Sequence, residues 1–164
     1  SISNNDNYLV LSLNLSRSEQ KLFLYDVRSN QQVEISDKAA NFSGQNFDKN
    51  DENYFYTTNY DSEFYYLMSY NLKNGERSTV YKTNWDVAFS YLSKNNSYRV
   101  TAVNEDAQNK LTIKNMSDQS DLNLIGFENM NINSVDFSED EKLLRVSAGS
   151  PNSPGDIYLS LIHI

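Results

Sequence analysis

A strand pattern that returns about every 45 residues constrains this chain more than any other feature of its sequence. Polar turns are followed by short strands that alternate in character, as Leu9, Leu11 and Leu13 alternate with Ser12. Strands of this kind begin 46, 44 and 46 residues apart, at Tyr8, Tyr54, Tyr98 and Leu144. Alternation with a period of two indicates β-strands, and self-similarity at a fixed period of this length indicates a repeat architecture.

Each repeat contains further strands in a constant order. The second strand recurs at Leu22–Val27, Tyr66–Leu72 and Leu111–Met116, and begins again at Ile157. A third follows at Val33–Ile35, Ser78–Tyr81 and Leu122–Ile125, and a fourth at Trp85–Val87 and Ile132–Val135. Four strands in about 45 residues are typical of a β-propeller blade. A β-sandwich or barrel, the alternative, has a similar strand density but does not predict this repeated order.

The sequence therefore predicts an all-β chain that forms a partial β-propeller of about three and a half four-stranded antiparallel blades. We expect residues 1–158 to be the propeller fragment, with blades at approximately 1–43, 44–87 and 88–135 and an incomplete one at 136–158. Residues 159–164 match the translation of a transposon mosaic-end sequencing adapter, so we expect them not to be native. A genuine apolar strand is the alternative. On the adapter interpretation, the only histidine, His163, is not native either.

The composition limits the classes of binding partner that we expect for this chain. Aromatic residues make up 13% of it, which favours strands, and the many asparagines suit turns. The net charge is −8 and there is no basic run, which argues against a nucleic-acid partner. No apolar run approaches the roughly 20 residues that span a bilayer, so we expect no membrane partner. The chain has no cysteine, which leaves the compartment open between the cytoplasm and the periplasm or exterior.

The residues needed for the common catalytic sites are missing. A Ser-His-Asp triad needs an imidazole, and His163 is the only candidate. The five glycines are isolated, so the sequence contains neither a G-x-S-x-G nucleophile elbow nor a glycine-rich phosphate loop. A zinc site is not expected, because the chain has no cysteine and no histidine other than His163. We therefore expect no catalytic residue, no cofactor and no metal site in this chain.

Carboxylates and one tryptophan are the remaining candidates for binding. Three acidic clusters lie on predicted turns: Asp48 with Asp51 and Glu52, Asp61 with Glu63, and Glu105 with Asp106. Such clusters could bind calcium or a substrate amine, but the D-x-D-x-D spacing of a calcium loop does not occur. We interpret all three as ordinary hairpin turns. Trp85 could stack on a ligand, but we interpret it as a core residue at a blade boundary.

Several short phrases in the second part of the chain resemble a known propeller. They are Ser62-Glu63-Phe64, Tyr70-Asn71-Leu72, Asn74-Gly75-Glu76, Trp85-Asp86-Val87, Tyr98-Arg99-Val100, Asn104-Glu105-Asp106-Ala107 and Val135-Asp136-Phe137-Ser138. With them, the segment from Tyr54 to Tyr158 resembles the propeller of bacterial members of the prolyl oligopeptidase family of serine peptidases. The phrase Phe137-Ser138-Glu139-Asp140 is also similar to the repeats of TolB-type periplasmic propellers.

The resemblance to the peptidases implies a function by association. In that family the propeller precedes an α/β-hydrolase domain, covers its active site and filters the peptide substrates that enter. The catalytic residues lie in the hydrolase domain, so none is carried onto this sequence, and that C-terminal domain is the implied partner. The Glu-Glu pair of the dipeptidyl-peptidase branch has no match here. The alternative is a non-enzymatic propeller that binds proteins, as TolB-type and WD-type propellers do.

We expect the purified chain to hydrolyse neither peptides nor esters, because it lacks both an imidazole base outside residues 159–164 and a nucleophile elbow. A chromogenic ester and a fluorogenic peptide test this prediction. A variant that ends at Tyr158 is the control for the terminal histidine. Turnover that survives this truncation contradicts the prediction.

Overall fold

The computed structural model describes residues 1–36, 38–127, 130–150 and 153–162, and in these ranges the chain forms strands and turns without a helix. No described segment is therefore a helix that could cross a membrane. The strands are β1 Tyr8–Asn14, β2 Gln20–Asp26, β3 Gln31–Glu34, β4 Phe42–Phe47, β5 Asn53–Thr58, β6 Tyr66–Asn71, β7 Arg77–Tyr81, β8 Asp86–Leu92, β9 Tyr98–Glu105, β10 Gln108–Asn115, β11 Asn131–Phe137, β12 Leu143–Ser150 and β13 Ser153–Leu161.

The strands form four small antiparallel sheets, which confirms the all-β, propeller-type fold. Sheet A has the strand order β1-β2-β3 and sheet B the order β4-β5-β6-β7. Sheet C contains β8, β9 and β10, and sheet D contains β11, β12 and β13, in each case in chain order across the sheet. Among the described residues only sheet B therefore has the four strands predicted for a complete blade, and the other three sheets have three.

The missing strand of sheet C is the predicted strand Leu122–Ile125. Its backbone contributes one hydrogen bond to β10, from the Leu122 amide to the Ile113 carbonyl at 2.8 Å, next to an isolated bridge between Lys114 and Asp121. The chain then turns at Gly126, whose φ of 92° lies in the left-handed region. The segment therefore does not extend the sheet beyond this one bond.

The predicted fourth strands join the sheet that follows them. The predicted blade boundaries at 43/44, 87/88 and 135/136 fall inside β4, β8 and β11. Each of these strands hydrogen-bonds to the strand after it. A tight turn separates each pair and reverses the chain, so the two strands are brought together locally as a hairpin.

A turn with a left-handed residue precedes one strand of every sheet at a constant spacing of 45 residues. These residues are Asp6, Asp51, Asn96 and Glu141, with φ of 58°, 54°, 61° and 56°. The strands that follow begin at Tyr8, Asn53, Tyr98 and Leu143, also 45 residues apart. The predicted strand starts at Tyr54 and Leu144 are each one residue late.

The same hydrogen bonds close each of these turns. In the first, the Ser3 amide donates to the Tyr8 carbonyl at 2.9 Å, and the Asp6 amide donates to the Ser3 carbonyl at 3.1 Å. The equivalent bonds join Asp48 with Asn53 and Asp51, Ser93 with Tyr98 and Asn96, and Ser138 with Leu143 and Glu141, at 2.8 to 3.1 Å. In three of the four turns a serine hydroxyl also accepts the amide of the residue that begins the strand.

The chain divides into two compact units, Ser1–Phe89 and Ser90–Ile164. In the first unit, sheets A and B pack face to face through a cluster of buried side chains. Its members are Val10, Leu22, Leu24, Ile35, Ala40, Phe42, Phe47, Tyr54, Tyr56 and Tyr70. Three tyrosines and two phenylalanines belong to this cluster, where their large rings fill the gap between the two sheets.

The second unit has its own buried side chains. Val100, Ala102 and Ile113 are buried in sheet C, and Val135, Leu144, Val146 and Ala148 in sheet D. Tyr98 and Phe137 stack, with ring planes 9° apart and centroids 5.2 Å apart. Both rings lie at strand ends beside the repeated turns.

The residues predicted to be an adapter lie at the end of the last strand. Leu159, Ser160 and Leu161 pair with Arg145, Leu144 and Leu143 of β12. The side chains of Leu159 and Leu161 are 76% and 60% exposed. The origin of these residues stays a prediction, and His163 and Ile164 lie outside the described residues.

We expect Gly44→Ala to destabilise the chain by about 1–3 kcal/mol through overpacking. A Cβ at this position would overlap the hydroxyl of Tyr54, a side chain that is 1% exposed. Gly155→Ala is the matched control, because its nearest neighbour would be 3.8 Å away. Denaturant unfolding measures both. Adding Tyr54→Phe should recover part of the loss, and simple additivity of the two changes would contradict this explanation.

Candidate functional site

The first acidic cluster is a hydrogen-bonding centre between sheets A and B. Asp51 Oδ1 accepts the Asn4 amide at 2.9 Å and Asn4 Nδ2 at 2.8 Å, and Asp51 Oδ2 accepts the Asn5 amide at 2.9 Å. Asp48 accepts the Glu52 amide and Asn53 Nδ2, both at 2.8 Å. Asp48 and Asp51 are 8% and 7% exposed. Their carboxylate oxygens are therefore already occupied by donors of the chain itself.

An equivalent contact occurs in the second unit, two repeats later. Glu141 is 6% exposed, and its Oε1 accepts the Asn95 amide at 2.6 Å. Asn95 corresponds to Asn5 and Glu141 to Asp51, since each pair is 90 residues apart. The carboxylate of one turn thus holds the backbone of the turn in the neighbouring sheet. We call this contact the turn clamp.

A guanidinium also joins sheets A and B. Arg77 Nε donates to the Ile35 carbonyl at 2.9 Å, and Nη2 donates to the Glu34 carbonyl at 3.3 Å. The Arg77 side chain also lies over the ring of Tyr70, 5.3 Å from its centroid. These contacts satisfy carbonyl groups at the end of β3. Arginine here serves packing between sheets.

The other two acidic clusters are turns, as interpreted from the sequence. Asp106 and Ala107 have φ of 50° and 61°, and they connect β9 to β10 as a two-residue hairpin turn. Glu105 forms an ion pair with Lys110 at 2.7 Å. Asp61, with φ of 49°, lies in the loop between β5 and β6. Within the described ranges, no three His, Cys, Asp or Glu side chains are grouped so that they could hold a metal ion.

Trp85 lies at the surface, so its interpretation as a core residue is wrong. Its side chain is 37% exposed, and its ring contacts Phe64 in a tilted arrangement with centroids 6.2 Å apart. Strand β8 begins only at Asp86, and Val87 is the residue that enters the core, at 2% exposure. Trp85 precedes the strand, so its side chain does not follow the alternation of inward-facing and outward-facing side chains along β8.

The loop beside Trp85 carries further aromatic and acidic groups. The Tyr66 hydroxyl donates to the Tyr60 carbonyl at 3.0 Å, and the side chain of Tyr60 is 41% exposed. Burial raises the pKa of Tyr66, and the negative charge of Asp61 raises it further. Lys82 Nζ lies 4.6 Å from the centroid of the Tyr66 ring. This surface combines exposed rings with both signs of charge, which suits contacts with a polypeptide.

A polar cavity of about 390 Å³ lies between β1 and β4 in the first unit. Its polar lining consists of Ser1, Ser12, Asn14, Gln20, Ser43 and Tyr54, and its apolar lining of Val10, Leu22, Phe42 and Gly44. Burial raises the pKa of the Tyr54 phenol, whose hydroxyl donates to Ser1 Oγ at 3.4 Å. No charged side chain lines the cavity. Sequence inspection missed it because its walls come from two different sheets.

Comparison with known proteins identifies the fold. No family model matches the chain, and no curated protein sequence matches it. TolB from Acinetobacter baumannii superimposes with a TM-score of 0.68 over 98% of this chain and 39% of its own length, at 12% identity. A protein described as TolB from Agrobacterium tumefaciens gives 0.71 over 98% of this chain and 60% of its own, at 8% identity.

A prolyl endopeptidase structure superimposes on 97% of this chain with a TM-score of 0.74, at 8% identity. It comes from work on the role of inter-domain dynamics in two such enzymes. The chain spans only 24% of that enzyme. The neighbours thus include both kinds of propeller that the sequence phrases resemble. At these identities the likeness establishes the fold alone. This chain is a segment of β-propeller.

We expect Asp51→Ala to destabilise the chain by about 2–3 kcal/mol more than Asp6→Ala, as measured by denaturant unfolding. Both residues are aspartates at the same left-handed turn position, so both substitutions carry a similar backbone cost. Asp6 is exposed, whereas Asp51 accepts the three hydrogen bonds of the turn clamp. Equal losses for the two variants would show that the clamp contributes nothing.

Proposed function

We propose that this chain is the substrate-filtering propeller segment of a serine peptidase of the prolyl oligopeptidase family. The observation that carries the proposal is the structural likeness to a prolyl endopeptidase. The likeness covers 97% of this chain and 24% of that enzyme. The phrases around Trp85 and Asn104 support it from the sequence side. In this proposal the hydrolysis itself is carried out by an α/β-hydrolase domain of the same polypeptide, and its substrates are peptides.

The contacts of the chain suit a wall that excludes large substrates. A filter must keep its shape under thermal motion, and the sheets of the first unit are joined by both an apolar core and partly buried hydrogen bonds. Buried, fully paired polar groups fix one arrangement of packed elements more narrowly than apolar contacts alone. The net charge of −8 would also favour the approach of cationic over anionic peptides.

A second candidate function is that of a non-enzymatic scaffold that binds proteins. The likeness to two TolB structures favours it, and so does the exposed Trp85, whose ring contacts Phe64. Aromatic side chains at the surface are enriched where proteins bind each other. A scaffold needs no partner domain for chemistry, so the two candidates differ in what the rest of the polypeptide contains.

We expect the reading frame that encodes this chain to continue past Tyr158, complete the propeller and enter an alternating strand–helix pattern. That pattern should contain G-x-S-x-G on a strand-to-helix turn, followed by an Asp and then a His. Sequencing of the gene checks the order directly. A frame that closes the propeller without these residues would leave the scaffold function.

Activity of the complete protein provides the second check. A fluorophosphonate probe should label the complete protein, and replacement of the elbow serine by alanine should abolish the labelling, because this serine is the only activated nucleophile expected. If the folded wild-type protein is not labelled by the probe, the result argues against the peptidase.

A further inference from the structure

Two loops of the first unit are joined beneath the exposed ring of Trp85. The Tyr65 amide donates to Asp86 Oδ1 at 2.8 Å, and the Tyr65 carbonyl accepts the Val87 amide at 2.9 Å. The Trp85 amide donates to Thr83 Oγ1 at 3.0 Å. These bonds tie the loop between β5 and β6 to the segment that leads into β8, so they fix the backbone on which Trp85 lies.

The remainder of the loop between β5 and β6 is also hydrogen-bonded. Asn59 Oδ1 accepts the Asn41 amide at 3.0 Å, and the Asn59 carbonyl accepts the Ser62 amide at 3.1 Å. The Tyr60 amide donates to Thr58 Oγ1 at 3.1 Å. A surface whose backbone is already ordered loses little conformational entropy when a ligand binds. We call residues 59–66 and 82–86 together the Trp85 surface.

The aromatic rings of the Trp85 surface offer faces to which cations bind. Tyr60 and Trp85 are 41% and 37% exposed, and Trp85 contacts the half-buried Phe64. The ring of Tyr66 already has a cation on its face, since Lys82 Nζ lies 4.6 Å from its centroid. Tryptophan is the aromatic side chain that attracts cations most strongly. A cation from outside the chain would therefore find its best ring at Trp85.

The charge of the Trp85 surface is negative. Its residues include three carboxylates and one lysine. The Asp86 carboxylate accepts the Tyr65 amide, whereas Asp61 and Glu63 are exposed and, in the part of the chain that the structure describes, form no ion pair. Both lie on the loop that carries Phe64. Two carboxylates are thus available to a cation that approaches the Trp85 ring.

We propose that the Trp85 surface binds an extended peptide segment through an arginine side chain, which stacks on Trp85 and pairs with the carboxylates of Asp61 and Glu63. A guanidinium suits these groups because it is planar, stacks on aromatic rings and pairs with carboxylates, whereas a lysine ammonium is compact and strongly hydrated. The proposal rests on neither candidate function, because it concerns binding by residues 59–86 alone.

Trp85 itself reports on this binding, because it is the only tryptophan of the chain. The probe is the peptide acetyl-Gly-Ser-Arg-Ser-Gly-amide, added to the full chain at about 50 mM salt to limit screening. One matched peptide carries citrulline, which keeps the shape of arginine without its charge, and another carries lysine. The arginine peptide should shift the Trp85 indole N–H signal in NMR spectra saturably. Its affinity should exceed that of the citrulline peptide at least about tenfold and that of the lysine peptide about threefold.

Two double variants separate the local carboxylates from the net charge. Asp61→Asn with Glu63→Gln should weaken binding of the arginine peptide at least about fivefold. Asp6→Asn with Glu52→Gln is the matched control, because it changes the net charge equally at exposed side chains on the turns that precede β1 and β5. Asp6 and Asp61 both have a left-handed backbone, with φ of 58° and 49°, which asparagine also tolerates. The control should keep the affinity within about twofold of the wild type.

Trp85→Leu tests the ring, with the fluorescence anisotropy of a fluorescein-labelled arginine peptide as the measurement. The affinity should fall at least about tenfold while the unfolding midpoint in denaturant stays close to that of the wild type. Equal affinities for the arginine and citrulline peptides, equal losses in the two double variants, or unchanged binding by Trp85→Leu would each overturn the proposal. Equal affinities for the arginine and lysine peptides would overturn the choice of arginine.

Discussion

The hairpin turn that recurs every 45 residues is the constraint on which the rest of the structure depends. At its centre one residue has a left-handed backbone, and this position is occupied by Asp, Asp, Asn and Glu in the four copies. Asn and Asp tolerate this conformation better than most residues, whereas Glu141 adopts it although longer side chains rarely do. Since the turn reverses the chain at a fixed point, it sets which residues pair in the hairpin and therefore which side chains face the neighbouring sheet.

Hydrogen bonds within the chain explain how the acidic residues of these turns can be buried. A buried carboxylate is stable only when its lone pairs accept hydrogen bonds. Asp51 accepts three hydrogen bonds from Asn4 and Asn5 of the neighbouring turn, and Glu141 accepts the Asn95 amide. The same contacts join one sheet to the next at its end, while aromatic side chains fill the space along its length. Charge in these turns thus has a structural purpose, and the exposed aromatic surface at Trp85 lies elsewhere.

A propeller segment of this kind can act as a filter or as a scaffold with the same physical properties. Both functions require sheets that keep their relative packing and surfaces that remain accessible. The first unit has such packing between sheets A and B, through the apolar cluster and through Arg77. Its surface includes Trp85, which contacts the half-buried Phe64 of a neighbouring loop. Aromatic rings at a surface favour contacts with side chains of a partner.

The sequence by itself determined the features that depend on neighbouring residues. The period of two in the strands, the polar turns between them and the repeat near 45 residues are all local, and they predicted an all-β propeller. The partners of each strand and side chain depended on the tertiary structure. Strands β4, β8 and β11 joined the sheets after them, Leu122–Ile125 formed one backbone bond with β10, and Trp85 lay outside the alternation of β8. Asp51 looked like any turn carboxylate, because its donors are 46 and 47 residues away and are brought to it only when two sheets pack.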